Sequence, residues 1–230
     1  DPGDVPTPRR AASPEDEAAQ HPFLSLMIEN HRRKRYLLNY NGREADIDTF
    51  TILQARASYY GLMSEVDHHV GRIIDHLKGS GHYDHTLIIF TSDHAGHLGD
   101  HHLQGKSGYF DEAFHIPLII RDPDAAAKGA RGGAIDAFTE NVDIMPTILD
   151  WLGREVPAQC DGTTLMPFLR GETPDNWRSE AHWEFDWRHV PELSGENGIG
   201  LQPDQCHLAA IRDDEYKYVH FPTLPPLLFD

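Results

Sequence analysis

Cysteine is nearly missing from this chain. Two thiols, Cys160 and Cys206, stand far apart in 230 residues. Neither matches a metal-binding or dithiol spacing, so a zinc ribbon and a thioredoxin-like redox motif are excluded, and a single disulfide between the two is the lesser reading. Two reduced thiols in a cytoplasmic protein are expected. Long apolar runs are missing too, none approaching the roughly 18 residues of a membrane helix. The opening DPGDVPTPRR is neither a signal nor a transit peptide. It carries no starting methionine, so a processed product or a fragment is expected. Basic residues are outnumbered, 20 against 37 acidic ones, for a formal charge of -17. That field repels nucleic acid and anionic membranes, and neither is expected as a partner.

Histidine, by contrast, is abundant. Of 16, several follow aspartate directly: Asp67-His68, Asp75-His76, Asp84-His85, Asp93-His94 and Asp100-His101. Most of these pairs are expected to be solvated, so position has to single out a functional one.

Prolines 2, 6, 8 and 14 mark residues 1–20 as a linker or extended loop. A helix is predicted from Pro22, with Phe23, Leu26 and Met27 at turn spacing. It runs into the basic stretch His31–Arg35, which suits a helix C-terminus. The strongest pattern follows. Ile52, Ala55, Tyr59, Leu62, Val66, Val70, Ile73 and Leu77 recur at steps of three and four until Gly79 and Gly81 stop the helix. The uninterrupted run Leu87–Phe90 then reads as a strand buried on both faces, as in a parallel sheet. Ile116–Ile120 is a second strand, which Pro117 either confines to a sheet margin or opens as the first residue of the strand proper. Asp143 is placed to cap a helix through Trp151, with Pro146 in its first turn and Gly153 past its end. Beyond about residue 175 the texture becomes that of antiparallel strands, at His182–Phe185, Leu208–Ile211 and Tyr216–His220. The expected class is α/β, with an α/β portion over 21–172 and a small antiparallel subdomain over 173–230.

The residues beyond the carboxyl end of a buried strand are where open α/β sheets bind ligands. Asp93 and His94 occupy that place. A carboxylate and an imidazole are ordinary ligands for a divalent cation, provided the chain bends at Ala95-Gly96 so that both reach one point. An exposed Asp-His pair in a loop is the competing reading. Lys106 lies thirteen positions beyond Asp93 in a glycine-rich loop. An ammonium returned to the site would hold an anionic group there. His101 and His102 lie between them, either as proton donors or as surface groups.

T-S-D-H, then L-G-D-H-H-L, then G-K at that spacing resembles the sulfatase branch of the alkaline phosphatase superfamily. ARASYYGLMSEVDHHVGRIIDHL, GYFDEAFHIPLIIRDP, ENVDIMPTILDWLG and EYKYVHFPTLPPLLFD are most similar to its phosphonate monoester hydrolase and phosphodiesterase members. The resemblance spans roughly residues 50–230. It implies the C-terminal part of an alkaline phosphatase-like α/β/α sandwich and hydrolysis of small anionic phosphonate, phosphate or sulfate esters. It makes Asp93 and His94 ligands of one divalent metal and Lys106 a catalytic contact to the transferred group. Histidine at the second ligand position favours manganese, zinc or iron over calcium. A homo-oligomer is implied for the full-length enzyme. The family's nucleophile is a formylglycine matured from cysteine in C-x-P-x-R, a motif these 230 residues lack. The nucleophile is therefore expected in an N-terminal half, leaving this chain inactive alone. A non-catalytic binding or assembly protein that keeps the fold is the alternative. Ala95-Gly96 replaces the family's usual Gly-Glu, and a methyl there would displace the metal loop if the backbone needed positive φ.

Overall fold

The computed structural model describes residues 1–33, 47–188 and 200–230. The opening segment, expected as linker or loop, contains a 3-10 turn at Pro2–Asp4 and a short helix, α1 (Pro14–Ala18). Ser13 caps α1 by accepting from the Asp16 amide, and Glu17 is buried.

Helix α2 (Pro22–Arg33) forms as its spacing predicts and buries Phe23, Leu24, Met27 and Ile28. His31, grouped above with a basic stretch, is buried instead. Its ring nitrogens lie 2.7 Å from the Met27 carbonyl and 2.6 Å from that of Gln104. Lys34 and Arg35 lie outside the described residues.

Helix α3 (Thr49–Gly79) starts at Asp48, whose carboxylate accepts the Thr51 amide at 2.9 Å. Beyond it, Gly81 turns the chain with φ of 76°. The apolar stripe behaves differently from expectation. Ile52 is buried, but Leu62, Val66 and Ile73 are 60%, 52% and 61% exposed. Nothing among the described residues covers that face beyond the first turns.

Strand β1 (Ile88–Thr91) pairs antiparallel with β2 (Leu118–Arg121), in a register that sets Ile88 opposite Arg121 and Thr91 opposite Leu118. Pro117 precedes β2, as its missing N–H demands. The expectation of a parallel strand buried on both faces is corrected here. The pairing is antiparallel, and the exposed Phe90 and Ile119 leave one face open. An unbroken apolar run reports that both faces suit burial, but not which segment provides it. Helix α4 (Asp111–Phe114) lies between the two strands in sequence.

Helix α5 (Ile144–Trp151) continues a 3-10 turn at Asn141–Asp143, and Gly153 follows with φ of 64°. Asp143 does not cap α5 through its side chain. Its fully buried carboxylate turns back to accept the Glu140 amide and reaches across to Arg178 and the Thr163 amide. A short helix α6 (Met166–Leu169) precedes the last sheet, whose antiparallel order is β3 (Ala181–Asp186), β4 (His207–Arg212), β5 (Lys217–His220) and β6 (Leu227–Phe229). The β4–β5 hairpin is as predicted, its turn held by Asp213, which accepts the Glu215 and Tyr216 amides. Strand β6 was not foreseen.

The principal core lies between α2 and this sheet. Phe23 meets Trp187 and Phe221 with ring centroids 4.9 and 5.7 Å apart, and Leu208, Ala210 and Val219 close the sheet side. Leu103 and Tyr109 join it from the loop between β1 and α4. The loop that carries the candidate site is thereby anchored to the best-packed part of the molecule.

Candidate active site

The bend required after β1 is present. The Ser92 hydroxyl donates to the His94 carbonyl at 2.7 Å, and the Asn141 side chain donates to the Ser92 carbonyl at 3.1 Å. One oxygen of Asp93 accepts the His94 amide at 3.0 Å. Its other oxygen lies 3.5 Å from His94 Nε2, while His94 Nδ1 sits 2.8 Å from the Ala95 carbonyl. A carbonyl only accepts, so Nδ1 carries a proton, and Nε2 is the nitrogen that faces Asp93. The Asp93 side chain is 82% exposed. Partial desolvation pushes its carboxyl up. The His94 amide and the charges of His94 and Lys106 outweigh this, leaving it below the ordinary carboxylate value.

Ala95 causes no strain. Positive φ among described non-glycine residues is confined to Leu98, His101 and His102, and the Ala95 amide donates to the Ala113 carbonyl at 2.9 Å. The feared displacement by its methyl is absent.

The spacing to Lys106 is a folded-back loop. The His97 amide donates to Gly105 O and the Gly99 amide to Leu103 O, both at 2.9 Å. Gly105 therefore returns beside Gly96, and the next residue, Lys106, comes close enough for its charge to act on Asp93. Asp93 and His94 thus stand side by side, with Lys106 on the returning limb of the same loop.

His101 and His102 are not at this site. The His101 ring stacks on Phe110 with centroids 3.6 Å apart, and its Nδ1 lies 3.0 Å from the buried Glu17 carboxylate. His102 Nε2 lies 3.0 Å from the Ala11 carbonyl. Both pin the loop to the opening segment, which was legible only as a linker.

Sequence reasoning also missed the group that holds the loop's left-handed turn. Arg56, buried at the base of α3, donates to Leu98 O at 2.9 Å, Pro6 O at 3.0 Å and the Asp100 carboxylate at 2.6 Å. Leu98 and His101 are non-glycine residues at φ of 50° and 56°, costing about 1–3 kcal/mol each, which such fixed contacts must offset. An arginine inside an apolar helical stripe was the available signal. His97, fully buried, reaches Ser107 O at 2.9 Å, and burial lowers its ring to about 4. It is a neutral spacer between the two limbs of the loop.

Asp93 stands between two hollows. One is shallow and apolar, about 560 Å³, formed with Ile144, Met145 and Ile148 of α5. The other is a cleft of about 860 Å³ running toward β3, with His115, His182, Trp183 and Arg212 among its walls. Among the described residues no group of three or more His, Cys, Asp or Glu side chains converges to hold a metal, so Asp93 and His94 stand as a pair.

Comparison with known proteins bears on the family and the fold. A model of the family described as sulfatase matches residues 11–154, and one described as N-sulphoglucosamine sulphohydrolase, C-terminal, matches 99–225. The multifunctional alkaline phosphatase superfamily protein PehA of Trinickia caryophylli is 48% identical over 99% of this chain and 44% of its own length. An N-acetylglucosamine-6-O-sulfatase of Bacteroides thetaiotaomicron is 35% identical over 73% of this chain and 28% of its own length. Among solved structures, the phosphonate monoester hydrolase of Agrobacterium radiobacter superposes with a TM-score of 0.92 at 44% identity, over 100% of this chain and 45% of that one. The chain thus spans less than half the length of these relatives.

Proposed function

We propose that this chain, which belongs to the sulfatase family, supplies the C-terminal part of the site of a metal-dependent hydrolase acting on small phosphonate or phosphate mono- or diesters or sulfate esters. Its fold is that of the C-terminal part of alkaline phosphatase-like α/β structures, with antiparallel sheets.

One observation carries the reading: the 3.5 Å approach of Asp93 Oδ2 to His94 Nε2. Donors bound at 2.0–2.1 Å to one cation with tetrahedral angles lie about 3.4 Å apart, so the pair fits a shared metal ion without rearrangement. The Ala95 carbonyl on Nδ1 is the outer partner that a metal-bound imidazole uses to fix its tautomer. Such an ion would polarise the oxygens of the transferred group. The imidazole favours manganese, zinc or iron over calcium. Lys106 adds a cation for charge that grows on those oxygens as the ester bond breaks. The remaining ligands and the formylglycine nucleophile belong to polypeptide outside these 230 residues. The exposed apolar face of α3 supports this, since it suits a covering segment of that kind.

The test uses the natural gene product that contains residues 1–230. Metal content by mass spectrometry should fall at least tenfold in Asp93→Ala and in His94→Ala. Lys106→Ala should retain metal but lose at least a hundredfold in turnover of an aryl phosphonate ester. Full metal content and full turnover in Asp93→Ala would overturn the proposal. The isolated 230-residue chain is expected to be inactive, and turnover by it would refute the assignment of the nucleophile elsewhere.

A further inference from the structure

Two histidines hold the limb that carries Lys106, and they belong to different elements. The His97 amide donates to Gly105 O at 2.9 Å, and the His97 ring reaches Ser107 O at 2.9 Å. From α2, the His31 ring reaches Gln104 O at 2.6 Å. The carbonyls of residues 104, 105 and 107 are thus each engaged by a histidine, with Lys106 among them. Gly105, at φ of 71°, turns the chain between the His31 contact and the lysine. Asp93 and His94, by contrast, follow β1 and are steadied by Ser92 and Asn141.

His31 is buried, and both of its ring nitrogens face carbonyl oxygens, Nε2 that of Gln104 and Nδ1 that of Met27 at 2.7 Å. A carbonyl only accepts, and a neutral imidazole has a single N–H. A neutral ring would therefore set a lone pair against one of the two oxygens at hydrogen-bonding distance. The imidazolium, with a proton on each nitrogen, makes both contacts attractive. Burying its charge is costly, and two features offset the cost. Charge-assisted hydrogen bonds are about twice as strong as neutral ones. The ring also sits in the last turn of α2, whose carbonyl end favours a cation. His97 makes the contrast. Its Nε2 meets Ser107, and its Nδ1 has no hydrogen-bond partner among the described residues. Burial chiefly, and then charge on His101 and His31, keeps it neutral.

We propose that His31 is a positioning residue for Lys106, a doubly protonated ring that bridges the Met27 and Gln104 carbonyls and so fixes the Lys106 limb to α2. This rests on the hydrolase reading above, in which Lys106 meets the transferred group. Phe23 and Met27 anchor α2 in the principal core, so the bridge refers the lysine to a rigid frame. Asp93 and His94 take their place from β1 instead, and His31 touches neither limb of that pair. Loss of the bridge should therefore disturb the lysine and leave the metal pair as it is.

The experiment uses the natural gene product and an aryl phosphonate ester. His31→Gln keeps a donor for one carbonyl, and His31→Leu for neither. Both should retain metal, while kcat falls about tenfold or more with KM little changed, since a displacement of about 1 Å costs on the order of 10²-fold. Leu24→Ala, in the same core of α2, should lower the melting temperature and leave kcat unchanged. An equal fall of kcat in Leu24→Ala would assign the effect to general loosening and overturn the proposal. In a Lys106→Ala background, His31→Leu should cost less than about twofold more, because it acts through the lysine. Full additivity of the two losses would overturn the proposal and leave the metal–lysine reading intact. Absence of turnover by the unsubstituted protein would overturn that reading, and the role of His31 with it. The bridge itself is read from nitrogen NMR spectra of protein carrying isotope-labelled histidine. The ring lost in His31→Gln should bear protons on both nitrogens near neutral pH. A ring with one proton would overturn the bridge whatever the turnover.

Discussion

Arg178→Met tests whether the frame around Asp143 is as strongly coupled as its geometry states. Asp143 is fully buried and receives both arms of Arg178, at 2.6 and 2.7 Å. The hydrogen bonds to Asp143 hold the guanidinium above its ordinary pKa. Methionine keeps the stem's volume but removes both donors, stranding a buried carboxylate. Breaking such a pair from one side costs about 3–5 kcal/mol. Here the Glu140 and Thr163 amides still donate to Asp143, at 2.8 Å each. The lower part of that range, about 3 kcal/mol, is therefore expected, or roughly 6–12 °C in melting temperature for a chain of this size. Thermal and urea unfolding measure it. Asp143→Asn in the Arg178→Met background should recover part of the loss, because a neutral amide has no charge to strand. A loss under about 1 kcal/mol, or a double variant no better than the single one, would refute the account.

The His97 ring predicts a pH dependence. It stays neutral in the fold down to about 4, burial being the main cause, whereas the unfolded chain takes up that proton near 6.5. Stability from this group is full above pH 6.5 and falls toward pH 4, by about 3 kcal/mol in all at about 1.4 kcal/mol per unit. Urea unfolding from pH 7.5 to 4.5 should show a shallower slope in His97→Gln, and identical slopes would reject the argument. Gly99→Ala places a methyl 2.8 Å from Ile52 Cγ2 at a residue with φ of 92°, so a loss of about 1–3 kcal/mol is expected. Gly71→Ala, with open space around it in α3, should be neutral or stabilising by up to about 1 kcal/mol. Equal melting temperatures for the two variants would show that the loop is not held against Ile52.

Helices α2, α3 and α5 were legible because their signals are local. Gly79 and Gly81 end α3, and Pro146 sits where a first turn tolerates it. Asp93, His94 and Lys106 could be singled out because a strand end, a bend and a glycine-rich return are written within a few residues of one another. The rest was decided at long range. Leu87–Phe90 did not disclose an antiparallel partner, since apolarity carries no strand direction. Nor did the prolines of residues 1–20 disclose that Glu17 reaches His101 or that Pro6 O accepts from Arg56. Asp143 reads as a helix cap in one dimension. Its carboxylate is drawn away by Arg178, a residue the sequence offers no reason to place nearby.

Two incompletenesses meet at one residue. Asp93 borders the apolar hollow of α5 on one side and the polar cleft of His182 on the other. Its pair with His94 offers two donors, whereas a cation takes at least four. A segment covering the apolar face would reach Asp93 from the side where ligands are wanting. It would also remove water from a carboxylate that now stands 82% exposed. Loss of solvent strengthens each charge interaction there, including that with a metal ion held as proposed above. Burial and ligation are then a single event, so a covering segment should bind the chain more tightly when metal is present. Equal affinity with and without metal would separate the two and show that the open face of α3 and α5 has no bearing on the site.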